Sequence, residues 1–141
     1  MKEKYILEKR IEKGDFNKGG EASSKLKDLL RKLGVDSAVI RKTAIVTYEL
    51  EMNIIIHSEG GWIRAAISRE GIQIFAADDG PGIADLEKAF QPGYSTASDQ
   101  VREMGFGAGL GLVNIKNYSA ELKVDTKTGV GTKIRAIIHL V

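Results

Sequence analysis

Eight residues near the end of the chain, Gly105-Phe106-Gly107-Ala108-Gly109-Leu110-Gly111-Leu112, put a glycine at every second position and then run into apolar sequence. Read as the entry to a helix over Leu110–Tyr118, they leave unhindered main-chain N–H groups at a helix N-terminus, which suits a phosphate group. No start in the run places glycines at the first, third and sixth positions, so it is not a dinucleotide fingerprint. No Gly-Lys-Ser or Gly-Lys-Thr is present either, which removes the P-loop. Taken alone, the glycines also fit a flexible hinge.

Composition narrows the rest. With 141 residues, 43% of them hydrophobic, the sequence predicts one domain over 1–141 with a real core. There is no cysteine, so disulfide frameworks, thiolate catalysis and Cys-type zinc sites are excluded together. Only His57 and His139 supply imidazoles, and they lie far apart in sequence, against a histidine-rich metal site. A net charge of +2 with no dense basic run argues against nucleic acid. The charged N-terminus does not read as a signal peptide, and the apolar stretch Ile54-Ile55-Ile56 stops at His57, well short of a membrane span. A soluble, cytoplasmic protein with no membrane partner is expected.

Tyr5–Ile11 reads as an edge strand with Tyr5, Leu7 and Ile11 on one alternating face. Ala22, Leu26, Leu29, Leu30 and Leu33 keep helical spacing, and Gly34 stops that helix. Asp36 is a good N-cap for a second helix, run to about Ser58, whose broad apolar set (Val39, Ile40, Ala44, Val46, Leu50, Ile54) predicts deep burial. Two hairpins follow the same logic: Trp62–Arg69 with Ile72–Ala77, and Leu122–Thr126 with Lys133–Leu140. A short helix is expected over Ala84–Phe90. After it, Gln91–Ala108 lacks periodicity and reads as a long mobile loop, of a kind that is either functional or disordered. The expected fold is α+β, a two-layer sandwich with helices on one face of a mixed, mostly antiparallel sheet.

Two further places carry chemistry. Glu49 and Asn53 lie four apart on the second helix and project from one face, whereas Glu51 points about 160° away from them. An amide oxygen can bind a hard cation while a neighbouring carboxylate deprotonates a nucleophile. Alone, the pair reads first as part of a solvated helix face. Asp78-Asp79-Gly80-Pro81-Gly82 follows a strand directly; its glycines permit close backbone approach to a flat ligand, and Asp78 offers an acceptor for an exocyclic amine. A plain turn would use the same residue types.

Taken in order, these elements resemble the GHKL superfamily. Glu49-x-x-x-Asn53 resembles its N-box, Asp78-x-Gly80-x-Gly82 its first glycine box, Gly107-x-Gly109-Leu110-Gly111-Leu112 its second, and Gly131-Thr132 its terminal Gly-Thr. The resemblance covers nearly all of the chain from about Asp36 onward. It implies a Bergerat-type ATP-binding fold. The short chain, with no room for a transducer domain, and Gln91-x-Gly93-Tyr94-Ser95-Thr96 are similar to the anti-sigma-factor and stressosome-type switch serine/threonine kinases.

That resemblance implies a division of roles. Asn53 would hold Mg2+ and Glu49 would be the catalytic base. Asp78 would accept from the adenine amino group of ATP or ADP, with Gly80, Gly82 and Ile83 beside the base and Thr132 reaching it through a water. Gly105, Phe106, Gly107, Ala108, Gly109, Leu110, Gly111 and Leu112 would hold the phosphates, under a lid of about 91–108 in which Arg102 could meet the γ-phosphate. His57 echoes the N-box of the kinase branch, or is simply a hydrogen-bonded helix-end histidine. The partner implied is a small regulatory protein, anti-anti-sigma (STAS-like), phosphorylated on serine or threonine. A sigma factor sequestered by the ATP-bound protein and a slow ATPase module are the alternatives. Members of the superfamily often dimerise, so a homodimer is possible.

Overall fold

A computed structural model of the chain describes residues 4–83, 86–91 and 111–140. Its elements are strand β1 (Lys4–Ile11), a 3-10 turn (Phe16–Lys18), helices α1 (Glu21–Lys32) and α2 (Ser37–His57), strands β2 (Gly61–Ile67) and β3 (Gly71–Asp78), helices α3 (Leu86–Ala89) and α4 (Gly111–Tyr118), and strands β4 (Glu121–Lys127) and β5 (Gly131–His139). The five strands form one sheet in the order β1-β2-β3-β5-β4. The sheet was expected to be mixed; all four pairings among the described residues are antiparallel. The two hairpins account for β2–β3 and β4–β5, whereas β1–β2 and β3–β5 join strands separated by helices and are antiparallel as well.

The helices form the second layer on one face. Ile63 and Ala65 of β2, Ile72, Ile74 and Ala76 of β3, and Ile134, Ala136 and Ile138 of β5 meet Leu26, Leu30, Val46, Leu50, Ile54 and Ile115 from the helices in one buried cluster. The helix boundaries follow local chemistry. Asp36 caps α2 by accepting from the Ala38 N–H at 3.1 Å. At the end of α1, Gly34 takes φ +75 while the Gly34 and Val35 N–H groups donate to Arg31 and Leu30 carbonyls, a Schellman closure.

One expectation for β1 fails. The register jumps from Tyr5 opposite Ala66 to Leu7 opposite Ala65, a bulge at Ile6. The extra residue reverses the phase of the strand, so Leu7 and Ile11 are buried while Tyr5 lies on the outer face, 58% exposed.

A contact that helical periodicity does not reveal holds the helix layer together. Glu51 is fully buried, and its carboxylate accepts from the main-chain N–H groups of Ala22 and Ser23, both at 3.1 Å, at the N-terminus of α1. Burial pushes its pKa up; the N–H donors of Ala22, Ser23 and Gly20 and the nearby Lys9 ammonium oppose that shift. The first turn of a helix has no internal acceptor for these N–H groups, and the partial positive charge there favours a carboxylate. Ser23 adds a second tie, its hydroxyl donating to the Ala44 carbonyl of α2 at 2.8 Å. Glu51→Ala should therefore lower unfolding stability by about 2–3 kcal/mol, since it strands buried donors. Glu21→Ala, which removes the exposed 3.4 Å ion pair with Lys9 and an acidic side chain from the first turn of α1, should cost about 1 kcal/mol or less. Urea unfolding of the two variants measures the contrast.

Candidate functional site

Helix α2 crosses the sheet with Glu51 fixed toward α1, and its helical phase sends Glu49 and Asn53 to the other side, toward α4. A Cβ added at Gly111 would lie 3.3 Å from both Asn53 Oδ1 and Glu49 Oε2. The start of α4 thus faces the carboxylate and the carboxamide at once. Asn114, three residues into α4, donates from Nδ2 to Glu49 Oε2 at 3.4 Å. Burial raises the Glu49 pKa above the ordinary carboxyl value, and the Asn114 hydrogen bond partly opposes it. A half-buried carboxylate whose pKa is raised toward the working pH is a better proton acceptor than an exposed one.

The second cluster sits at the end of β3. Asp78 Oδ1 accepts from the Gly80 N–H at 2.8 Å. Burial raises the Asp78 pKa; the main-chain N–H groups of Gly80 and Thr132 oppose the shift, and the Asp79 carboxylate adds to it. The following loop is pressed against its neighbours on two sides. A Cβ at Gly80 would lie 2.8 Å from Ser58 Cα and Cβ at the end of α2. At Gly82, with φ +77, it would lie 2.6 Å from the Lys127 carbonyl oxygen. The Gly129 N–H donates to the Pro81 carbonyl at 2.8 Å, fastening the loop to the β4–β5 turn. Ile83 donates its N–H to Thr126 Oγ1 at 2.8 Å, and that hydroxyl lies 2.9 Å from Thr132 Oγ1. Thr132 is buried.

The residues expected to act together thus form two clusters. Glu49, Asn53 and Gly111 converge; Asp78, Gly80, Gly82, Ile83 and Thr132 converge. Leu112 packs half-buried against the core. Gly105, Phe106, Gly107, Ala108, Gly109, Leu110, Arg102 and most of the expected lid lie outside the described residues. His57, at the end of α2, borders an open cleft of about 380 Å³ shared with Lys13, Ser58, Asp79, Gly80 and Pro81. Burial lowers its pKa, which favours the neutral ring. Asn114 and Thr126 were missed. Asn114 could have been found as the first polar residue one turn inside the helix after the glycine run. Thr126 pairs with Thr132 in the hairpin register.

The sequence profile of a family described as "Histidine kinase-, DNA gyrase B-, and HSP90-like ATPase" matches residues 39–141. The chain belongs to this ATPase family. It is similar to a serine/threonine-protein kinase, RsbT, of Bacillus subtilis (strain 168), at 30% identity over 79% of this chain and 80% of that protein. It is also similar to an anti-sigma F factor of Thermoanaerobacter sp. (strain X514), at 34% identity over 70% of this chain and 62% of the relative, somewhat under two thirds of that protein's length. Among solved structures, a chain in the crystal structure of the SiaB–SiaC complex from Pseudomonas aeruginosa shares the fold. The TM-score is 0.65, covering 95% of this chain and 89% of that one at 16% identity. In this chain the Asp78–Gly82 loop and the Gly131-Thr132 step lie together, with Gly80 packed on Ser58 at the end of the helix that carries Glu49 and Asn53.

The crowding at Gly82 is testable beside an uncrowded control. Gly129 has φ +78, and a Cβ added there would meet nothing within 4 Å, so Gly129→Ala should cost only the left-handed backbone penalty, about 1–2 kcal/mol. Gly82→Ala must also displace Lys127 and should lower the thermal midpoint by clearly more.

Proposed function

We propose that this chain is an ATP- and Mg2+-dependent serine/threonine kinase that transfers the ATP γ-phosphoryl group to a small regulatory partner protein, of the anti-anti-sigma (STAS-like) kind. The observation that carries this reading is the convergence of Glu49 and Asn53 on Gly111, at the helix start that follows the glycine run. Similarity to a serine/threonine-protein kinase over four fifths of each chain supports it.

The residues fit the nucleotide and the metal. Among the described residues no cluster of three or more His, Asp or Glu side chains is arranged to hold a metal. A hard cation here would therefore take the Asn53 amide oxygen and complete its shell with phosphate oxygens and water, the usual pattern for magnesium. Bound there, magnesium supplies charge neutralisation for the phosphates. Asp78, held in place by the Gly80 and Thr132 N–H groups, keeps acceptor capacity for the adenine amino group, and close packing of Gly80 on Ser58 and of Gly82 on Lys127 fixes the loop beside it. Glu49 accepts the proton of the partner's hydroxyl as its oxygen forms the new P–O bond and the bond to the β-phosphate breaks. Little covalent help is needed from protein, so positioning and electrostatics supply most of the rate.

Similarity to anti-sigma F factors favours one second reading, in which the nucleotide-bound protein sequesters a sigma factor. No helix among the described residues is long and apolar enough to cross a membrane; use of ATP as phosphoryl donor favours a cytoplasmic setting.

Calorimetry with ATP and Mg2+ should give a binding signal that Asp78→Ala abolishes and Asn53→Ala strips of its magnesium dependence. With labelled ATP and the partner, Glu49→Ala should cut phosphoryl transfer about 10²–10⁴-fold and leave ATP binding intact. Partner capture without label in the wild type would replace the kinase by the sequestering reading. The base acts ionised and its pKa is raised in the folded protein. Activity should therefore fall as pH drops through a value above the ordinary 4.5 of a glutamate. A pH–rate profile whose acid limb lies at or below that value would count against Glu49 as the base.

A further inference from the structure

A glutamate carboxylate swings about several torsions, so the helix that carries it fixes only where the side chain starts. Helix α2 sends Glu49 toward α4, but it does not by itself choose the direction of the two carboxylate oxygens. On α4, Gly111 and Asn114 lie three apart and share the face turned to α2. Gly111 leaves room there, since a Cβ on it would lie 3.3 Å from both Glu49 Oε2 and Asn53 Oδ1. Asn114 reaches across, its Nδ2 lying 3.4 Å from the same Glu49 Oε2. An ionised carboxylate only accepts, so the amide must present its N–H and not its oxygen. Ile115, the next residue, is fully buried, and α4 packs against α2. The donor therefore stands on a fixed backbone.

We propose that Asn114 is a positioning residue for phosphoryl transfer: its side-chain N–H holds Glu49 Oε2 and leaves Oε1 to take the proton of the attacking hydroxyl. This role rests on the kinase reading above. As Oε1 takes the proton, the hydroxyl oxygen bonds to the γ-phosphorus and ADP leaves with the electrons of the broken bond. The amide suits the task because it is neutral. A lysine or arginine in its place would pair with the carboxylate as an ion and hold it too firmly ionised to accept a proton. Asn114 fills one lone-pair site of Oε2 and leaves the charge of Glu49 in place. The tether also joins two parts of the reaction. Helix α4 begins at the end of the glycine run assigned to the phosphates, so the helix that meets the nucleotide is the helix that aims the base. Aim matters for rate, because displacing a reacting group by about 1 Å can cost on the order of 100-fold.

Water can stand in for the partner's hydroxyl, so release of inorganic phosphate from ATP and Mg2+ by the full chain reads the step without the partner. Asn114→Leu, which keeps the bulk and loses the donor, should lower kcat about 10–100-fold and change KM for ATP by less than about threefold. Asn114→Gln, which keeps the amide, should recover part of that loss. Added to Glu49→Ala, Asn114→Leu should cost nothing more, since it acts only through the missing carboxylate. Asn117→Leu, on the exposed side of the same helix, should match the wild type. Circular dichroism checks each fold; should Asn114→Leu misfold, Asn114→Ala takes its place. An unchanged kcat, a raised KM at constant kcat, no recovery with Asn114→Gln, or an additive loss in the double variant each overturns the proposal. The tether is read apart from turnover by the Asn114 side-chain amide signal in nitrogen–proton NMR spectra without nucleotide, which Glu49→Ala should shift. An unshifted signal overturns the tether whatever the rates. A shifted signal in a wild type that releases no phosphate would remove the kinase reading, and the positioning role with it, while the tether stands.

Discussion

The Glu51 carboxylate seated in the N–H end of α1 is the contact on which the site's geometry depends. A buried ionisable group is tolerated only with hydrogen-bond partners, and the first turn of α1 supplies them in the one place where a helix leaves donors unused. That anchor, together with Val46, Leu50 and Ile54 buried in the core, fixes the rotation of α2 about its own axis. Its 3.6-residue period then sends Glu49 and Asn53 to the side where α4 begins.

Close backbone approach is the second organising device. Gly80 against Ser58, Gly82 against Lys127 and Gly111 against the Glu49 and Asn53 side chains are three positions where a Cβ would intrude. Two of them tie the loop after β3 to its surroundings, α2 on one side and the β4–β5 turn on the other. The third keeps the mouth of α4 clear in front of the polar pair. Hydrogen bonds from Gly129 to Pro81 and from Ile83 to Thr126 hold the same loop from the hairpin side. The small residues allow contact; the hydrogen bonds give it a single arrangement.

The two-layer architecture separates two kinds of surface. The helix side and the loops at one end of the sheet hold the half-buried carboxylates with raised pKa values. The opposite sheet face holds aromatic rings and exposed charges whose spacing is fixed only by strand register.

Much of this was legible in the sequence because it is written in local periodicity. The Asp36 cap, the Gly34 stop, both hairpins and the common face of Glu49 and Asn53 follow from helical and strand repeats and from residues that favour particular backbone conformations. The bulge at Ile6 was not legible, since a single inserted residue leaves no mark on a short apolar–polar pattern, and it turned Tyr5 from core to surface. Glu51 read only as a residue pointing away from the pair; its acceptor role needed α1, 28 residues earlier, to be folded beside it. Asn114 and Thr126 entered the site for the same reason. The sequence alone determined which elements form and which polar groups share a helix face, because these depend on neighbours within a few residues. Tertiary structure decided which buried donors meet which carboxylates and which side chains line up across the sheet, because those contacts join segments that only packing brings together.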